Sequence, residues 1–159
     1  MNSRLPSLGP RGEGWVAIQF ALLPVIVGAG YLGPAWGEPI RTVTTVAGAL
    51  LLAAGGLLGG RGVFDLRENL TPLPHPKEDA RLVEAGAYRL VRHPIYGGLV
   101  IAAFGWGLLA ASLAALVAAA VLLVFFDLKS RREEAWLQER FPGYPAYRAR
   151  SRRLIPWLY

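Results

Sequence analysis

The feature that most constrains this chain is a run of 32 residues, Ile95 to Phe126, without a single charged side chain. As one helix it would be roughly 48 Å long at 1.5 Å per residue, too long for one crossing of a hydrocarbon core of ~30 Å. It reads instead as a tight hairpin with its turn near Leu109 to Ser112. Arms this short require some local thinning of the bilayer or partial insertion.

Two further uncharged runs precede it, Trp15 to Leu32 and Val43 to Gly60, of 18 residues each. That is near the lower limit for a membrane span. Pro24 predicts a kink in the first, because proline supplies no N–H to the helix ladder. The expected fold is therefore all-α: a polytopic membrane helical bundle of about four transmembrane helices, 15–32, 43–60, 95–109 and 112–128, in a single membrane domain over 1–159. A C-terminal helix is expected from about Lys129 to Phe141, followed by a turn at Pro142-Gly143. Gly55 and Gly59, and Gly56 and Gly60, form two overlapping GxxxG patterns suited to close helix packing in lipid.

Composition agrees. With 53% apolar and 18% charged residues, the chain lacks the charge that a water-facing domain of 159 residues needs. The absence of cysteine removes disulfides, thiolate metal sites and cysteine nucleophiles, and with only His75 and His93 a metal site would rest mainly on carboxylates. The net charge of +6 does not point to nucleic acid, since the cations gather at the edges of the apolar runs. Two Lys or Arg precede Trp15, one lies between Gly33 and Thr42, and none lies in the hairpin turn; six lie between Arg61 and His93, and eight follow from Lys129 onward. With four spans, the positive-inside rule puts both termini and the segment 61–93 on the cytoplasmic side of a multi-pass cell-membrane protein. Arg4 and Arg11 before an apolar run imitate a signal peptide, but no clear small-x-small site follows, and the run reads as a retained helix.

Three polar constellations remain, all on that side. In Gly86-Ala-Tyr88-Arg-Leu-Val-Arg92-His93-Pro94-Ile95-Tyr96-Gly97, Pro94 fits the first position of a helix, which puts Arg92 and His93 at its start. Alone, Arg, His and Tyr there read as interfacial anchors. In Lys129-Ser-Arg131-Arg132-Glu133-Glu134-Ala-Trp136, residues Lys129, Glu133, Trp136 and Arg140 share one helical face, which alone reads as a solvated helix with i,i+4 pairs. The third, Phe141-Pro-Gly-Tyr144-Pro-Ala-Tyr147 with the arginines that follow, alone reads as a basic aromatic tail on anionic headgroups.

Taken in order, from Leu82 through Arg92-His93-Pro94-Ile95-Tyr96, an apolar hairpin, Glu133-Glu134-x-x-Leu137 and Phe141-x-x-Tyr144-x-x-Tyr147, the pattern resembles the isoprenylcysteine carboxyl methyltransferase family and the related phospholipid N-methyltransferases. The resemblance covers roughly Leu70 to Pro156. It implies a membrane methyltransferase using S-adenosylmethionine, bound between the segment 61–93 and the helix after Lys129. It further implies cofactor contacts from Tyr88, His93, Pro94, Ile95, Tyr96 and Glu133, and from Ala80, Arg81, Leu82 and Val83. The family's substrate-binding arginine falls on Lys129, which offers charge without a bidentate fork; Arg131 or Arg132 are possible substitutes. The implied acceptor is a lipophilic small molecule entering from the bilayer, with membrane lipids as the other partners. An amine acceptor would need a proton acceptor, for which Glu134 and His75 are candidates.

Two other readings compete. Membrane sterol and polyprenoid reductases that use NADPH carry a similar His-Pro-x-Tyr run, but with Asn before that Tyr and an acid soon after it, where this chain has Ile95 and Gly98. A non-catalytic membrane protein that binds a lipid or a partner fits the composition equally well.

Overall fold

The computed structural model describes residues 5–33, 36–77 and 79–159. Arg4, counted above among the flanking cations, and positions 34 and 35 of the first link lie outside them. Among the described residues the chain is helical, with no strand: α1 Glu13–Ala29, α2 Ile40–Leu66, α3 Pro94–Leu109, α4 Leu113–Arg140 and α5 Tyr144–Arg150. Short 3₁₀ turns occupy Arg67–Asn69 and Gly86–Arg89. Two helices, α2 continued to Asn69 and α4, are long and apolar enough to cross a membrane. Helices α1 and α3 are apolar but shorter, 17 and 16 residues. Helix α1 continues on both sides of Pro24.

Helix α3 packs against both α2 and α4, and α1 packs against α4. The residues that α2 buries are all glycines: Gly48, Gly55 and Gly62, one every two turns. A Cβ on Gly55 would lie 2.5 Å from the Gly98 carbonyl oxygen, and one on Gly48 would lie 2.5 Å from the Leu109 amide. Helices α2 and α3 thus meet backbone to backbone, the contact that small residues permit in lipid. Of the two GxxxG patterns, Gly55 and Gly59 face α3, whereas Gly56 and Gly60 face open space. The large side chains of α2 point outward, with Val43, Leu50, Leu57 and Phe64 exposed. An exterior of this kind is stable in lipid and would be an aggregation surface in water.

The turn between α3 and α4 is built around Ser112. Its hydroxyl has one proton to share between the carbonyls of Ala29 and Leu32, 2.7 and 2.8 Å away, and accepts from the Ala115 amide. One side chain therefore caps α4 and ties its start to the carbonyls at and just past the end of α1. Trp106 adds a bond from its indole N–H to the Ile26 carbonyl at 3.2 Å.

The helix expected from Lys129 is not a separate element. It continues the second hairpin arm without a break, so that α4 runs 28 residues from the apolar turn to Arg140. No glycine or proline interrupts Leu113 to Arg140, and the change from apolar to charged residues alters what solvates the helix, not its backbone.

Candidate functional site

The start of α3 is held by the C-terminal tail. Pro94 occupies the first turn of α3 and needs no hydrogen-bond acceptor. Just before it, the amides of Arg92 and His93 donate to the carbonyls of Arg152 and Arg153, at 2.8 and 3.0 Å. Val91 and Arg152 form a short parallel bridge. The tail then lies so close on α3 that a methyl group at Gly97 would overlap the Leu154 carbonyl. Only glycine fits there.

Below this contact lies an ionic knot. Glu134 of α4 is 2% exposed. Its Oε1 accepts from Arg92 Nε at 2.8 Å and from Arg153 Nε at 3.3 Å. His93 Nε2 lies 3.4 Å from the same oxygen, and Arg148 Nε lies 3.7 Å from Oε2. Arg92 also donates to the carbonyls of Arg148 and Ser151. A buried carboxylate surrounded in this way has its charge matched, and the cations around it hold it ionised. Glu134 is thereby committed to joining α3, α4 and the tail, and is no free proton acceptor. His75, the other candidate for that task, is exposed, with its ring edge-on to Trp136.

The neighbouring acid points elsewhere. Glu133 Oε2 accepts a 2.9 Å hydrogen bond from the Tyr96 hydroxyl and lies 3.9 Å from His93 Nδ1. The rings of His93, Tyr96 and Phe126 form a stack, with centroids 5.5 and 4.6 Å apart and planes within 10°. Glu133, His93 and Tyr96 border a cavity of about 340 Å³. Its lining also includes Tyr88, Arg92, Tyr144 and Tyr147 among the polar residues, and Val63, Leu66, Leu70, Ile95, Leu137 and Phe141 among the apolar ones. Burial, reinforced by the charge of Glu133, raises the Tyr88 phenol well above its usual range, so it stays protonated. Tyr147 donates its hydroxyl to the Tyr88 carbonyl at 2.7 Å and so fixes the 3₁₀ turn against α5.

Nine of the ten cofactor contacts implied by the resemblance line this one cavity: Tyr88, His93, Ile95, Tyr96, Glu133, Ala80, Arg81, Leu82 and Val83. Pro94 does not. It is buried against Gly62 of α2, where a Cβ on the glycine would meet its ring at 2.8 Å. Lys129 is fully buried one turn before Glu133 and stands behind the wall. Its ammonium donates to Gln19 Oε1 and lies 4.9 Å from the Tyr96 ring centre. Arg131 is on the outside, its side chain 51% exposed, bonded to Asp127 and Tyr159. Arg132 covers the Trp136 ring at 4.2 Å. The sequence reasoning missed Gln19, which α1 contributes to the cavity. The available signal was a lone amide within the Trp15–Leu32 run, since a polar side chain inside a span is rarely idle.

The sequence profile of the family described as Phospholipid methyltransferase matches residues 43–143. The chain belongs to that family. The matched stretch runs from the start of α2 to the residue before α5, so it contains the Arg-His-Pro-x-Tyr turn and Glu133, and omits α1 and the tail. The phospholipid methyltransferase family is part of the same group of membrane methyltransferases as the isoprenylcysteine carboxyl methyltransferases. With two helices able to cross a bilayer, family membership marks this chain as a membrane protein. The chain is also similar to the cobalt-zinc-cadmium resistance protein CzcN of Cupriavidus metallidurans, with 26% identity over 146 residues. That match covers 90% of this chain and 62% of CzcN, so the chain spans less than two thirds of that relative.

Proposed function

We propose that this member of the phospholipid methyltransferase family transfers a methyl group from S-adenosylmethionine to an amphiphilic acceptor drawn from the bilayer. The acceptor is a carboxylate of the prenylcysteine type or a lipid amine. One observation carries the reading: the Arg-His-Pro-x-Tyr turn and Glu133, far apart in sequence, border a single cavity of about 340 Å³. That volume is within the range of about 300–1,000 Å³ of small-molecule sites. The side chains suit such a cofactor. Glu133, bonded to Tyr96 through one carboxylate oxygen, has a second for a hydroxyl or ammonium group.

When bound, the cofactor supplies a sulfonium methyl, a carbon already activated for in-line displacement. The protein's part is then alignment and the exclusion of water. Tyr96 orients Glu133 through its hydroxyl, and Phe126 supports the Tyr96 ring from behind. Lys129 acts on the acceptor through Gln19, which lines the cavity and holds its ammonium. In this reading the protein is multi-pass, with both termini and the cavity on the cytoplasmic side, as its distribution of cations favours.

Titration calorimetry on the detergent-solubilised protein tests the cofactor, with S-adenosylmethionine and its demethylated product as ligands. Micromolar-range heat is expected; heat with NADPH alone, or with none of these, would overturn the reading. Glu133→Gln and His93→Ala should each weaken S-adenosylmethionine by about tenfold or more, the scale of a hydrogen bond to a charged group, with folding retained. Unchanged affinity in both would remove the site assignment. Lys129→Ala should lower turnover about tenfold or more while shifting cofactor affinity less than about threefold; the reverse pattern would contradict its role toward the acceptor. Transfer of label from S-adenosylmethionine into a lipid extract of the source cell would identify the acceptor.

A further inference from the structure

Residues 154–159 close a small loop. The amides of Leu154 and Ile155 donate to the Tyr159 backbone oxygen at 2.8 and 2.9 Å, and those of Leu158 and Tyr159 donate to the Ile155 carbonyl at 3.2 and 3.1 Å. At its tip Trp157 and Leu158 are 81% and 80% exposed, the most exposed large apolar side chains among the described residues. Trp157 takes φ +62°, a left-handed conformation that a bulky residue adopts only under strain. The backbone is bent to hold both side chains outward, and the chain itself leaves them uncovered.

What covers them follows from where the loop is fastened. Along α4, the exposed Leu113, Val117, Val121, Val124 and Leu128 fall on one helical face. This stripe is roughly 22 Å long at 1.5 Å per residue and suits lipid rather than water. Arg131 comes next on the same face, its side chain 51% exposed, so the apolar surface gives way to charge within one turn. The loop is tied at that level. The Tyr159 hydroxyl donates to Asp127 at 2.7 Å, and Arg131 and Arg153 donate to the same carboxylate at 2.7 and 2.8 Å. On α2, Phe64 marks a matching boundary, two residues past the Gly62 that meets Pro94: it is exposed, with Arg61 and Arg67 over its ring. Tryptophan and tyrosine favour such a boundary because the ring sits against lipid while its N–H or O–H reaches the wet headgroups.

We propose that the 154–159 loop is a membrane anchor, with Trp157 and Leu158 inserted in the lipid headgroup layer beside the charged end of α4. Its partner is the bilayer surface itself, and the inference stands whatever reaction the cavity performs. The anchor bears on the cavity all the same, since the carbonyls of Arg152 and Arg153 hold the amides of Arg92 and His93. Lipid contact at the loop therefore steadies the start of α3, where His93 borders the cavity.

The test uses the full chain in phosphatidylcholine nanodiscs. The chain has five tryptophans, so the emission lost on Trp157→Phe isolates that of Trp157. Lipids brominated near the top of the acyl chain should quench this emission more than lipids brominated at the chain end, reading a depth of about 5–10 Å. Acrylamide in the water should quench it little. Equal or stronger quenching from the chain end, or dominant quenching by acrylamide, overturns the proposal. So does quenching by neither probe, which would mean that a second copy of the chain covers the loop. In the same nanodiscs, the double variant Trp157→Ser and Leu158→Ser should let trypsin cut after Arg152 or Arg153 about tenfold faster, the equilibrium weight of one buried apolar side chain. Equal cleavage of wild type and variant would remove the anchoring role.

Discussion

Glu134→Ala is expected to destabilise the protein by about 3–5 kcal/mol, because it leaves the buried Arg92 without a counter-charge, whereas Arg153 keeps Asp127. In a chain of this size that corresponds to a fall in melting temperature on the order of 10 °C. The carboxylate takes hydrogen bonds from Arg92 and Arg153, with His93 and Arg148 close by, so its loss leaves like charges crowded where water is excluded. The tail and the start of α3 should loosen together, since the same Arg92 also bonds the carbonyls of Arg148 and Ser151. The exposed pair of Arg150 and Glu84 is the internal standard. Arg150→Ala should cost no more than about 1 kcal/mol, as exposed ion pairs do. Thermal unfolding in detergent, with proteolysis of the tail as a second reading, measures both. Equal effects from the two substitutions would mean that the knot is no stronger than a surface contact.

Gly98→Leu should disrupt the α2–α3 contact and lower stability by about 3 kcal/mol or more, the upper range for forcing bulk into a filled space. A Cβ at Gly98 would already stand 2.6 Å from the Gly55 carbonyl oxygen and from the Gly59 amide, both backbone atoms that cannot swing aside. The matched control is Gly56→Leu on α2. A side chain there meets open space, and in lipid it should be neutral or slightly stabilising, since leucine is the better helix former. Unfolding of the purified variants in one detergent gives the comparison. If Gly98→Leu and Gly56→Leu behave alike, the glycine stripe is not what joins the two helices. Because α3 begins at His93 and Pro94, a shift of this helix should also displace the cavity wall and weaken cofactor binding.

The helical class was legible because it follows from apolar length: runs of 18 and 32 uncharged residues leave the backbone no partners but its own in lipid. Which glycines join the helices was not. Four were equally plausible in the overlapping GxxxG pattern, and only the rotation of α2 against α3 selects the row Gly48, Gly55 and Gly62. In the cavity, the residues around His93-Pro94-Ile95-Tyr96 could be named beforehand because they form one continuous motif. Pro94 turned inward to Gly62, and Arg131 outward to Asp127, because a motif gives residue types and spacing but not the direction of each side chain. Likewise Glu133 and Glu134 are adjacent and chemically alike, and a rotation of ~100° about the helix separates them. One borders the cavity and the other anchors the tail.

The amino-acid sequence alone determined what solvates this chain and which chemical groups it possesses, since hydropathy and motif spacing are properties of the residues themselves. The three-dimensional arrangement decided which of those groups share a space: Gln19 from α1, Glu133 from α4 and Tyr144 from α5 meet at one cavity although 125 positions separate the first from the last. The reason is physical. Burial and pairing depend on how helices rotate and cross, and that is set by the packing of all of them together rather than by any segment taken singly.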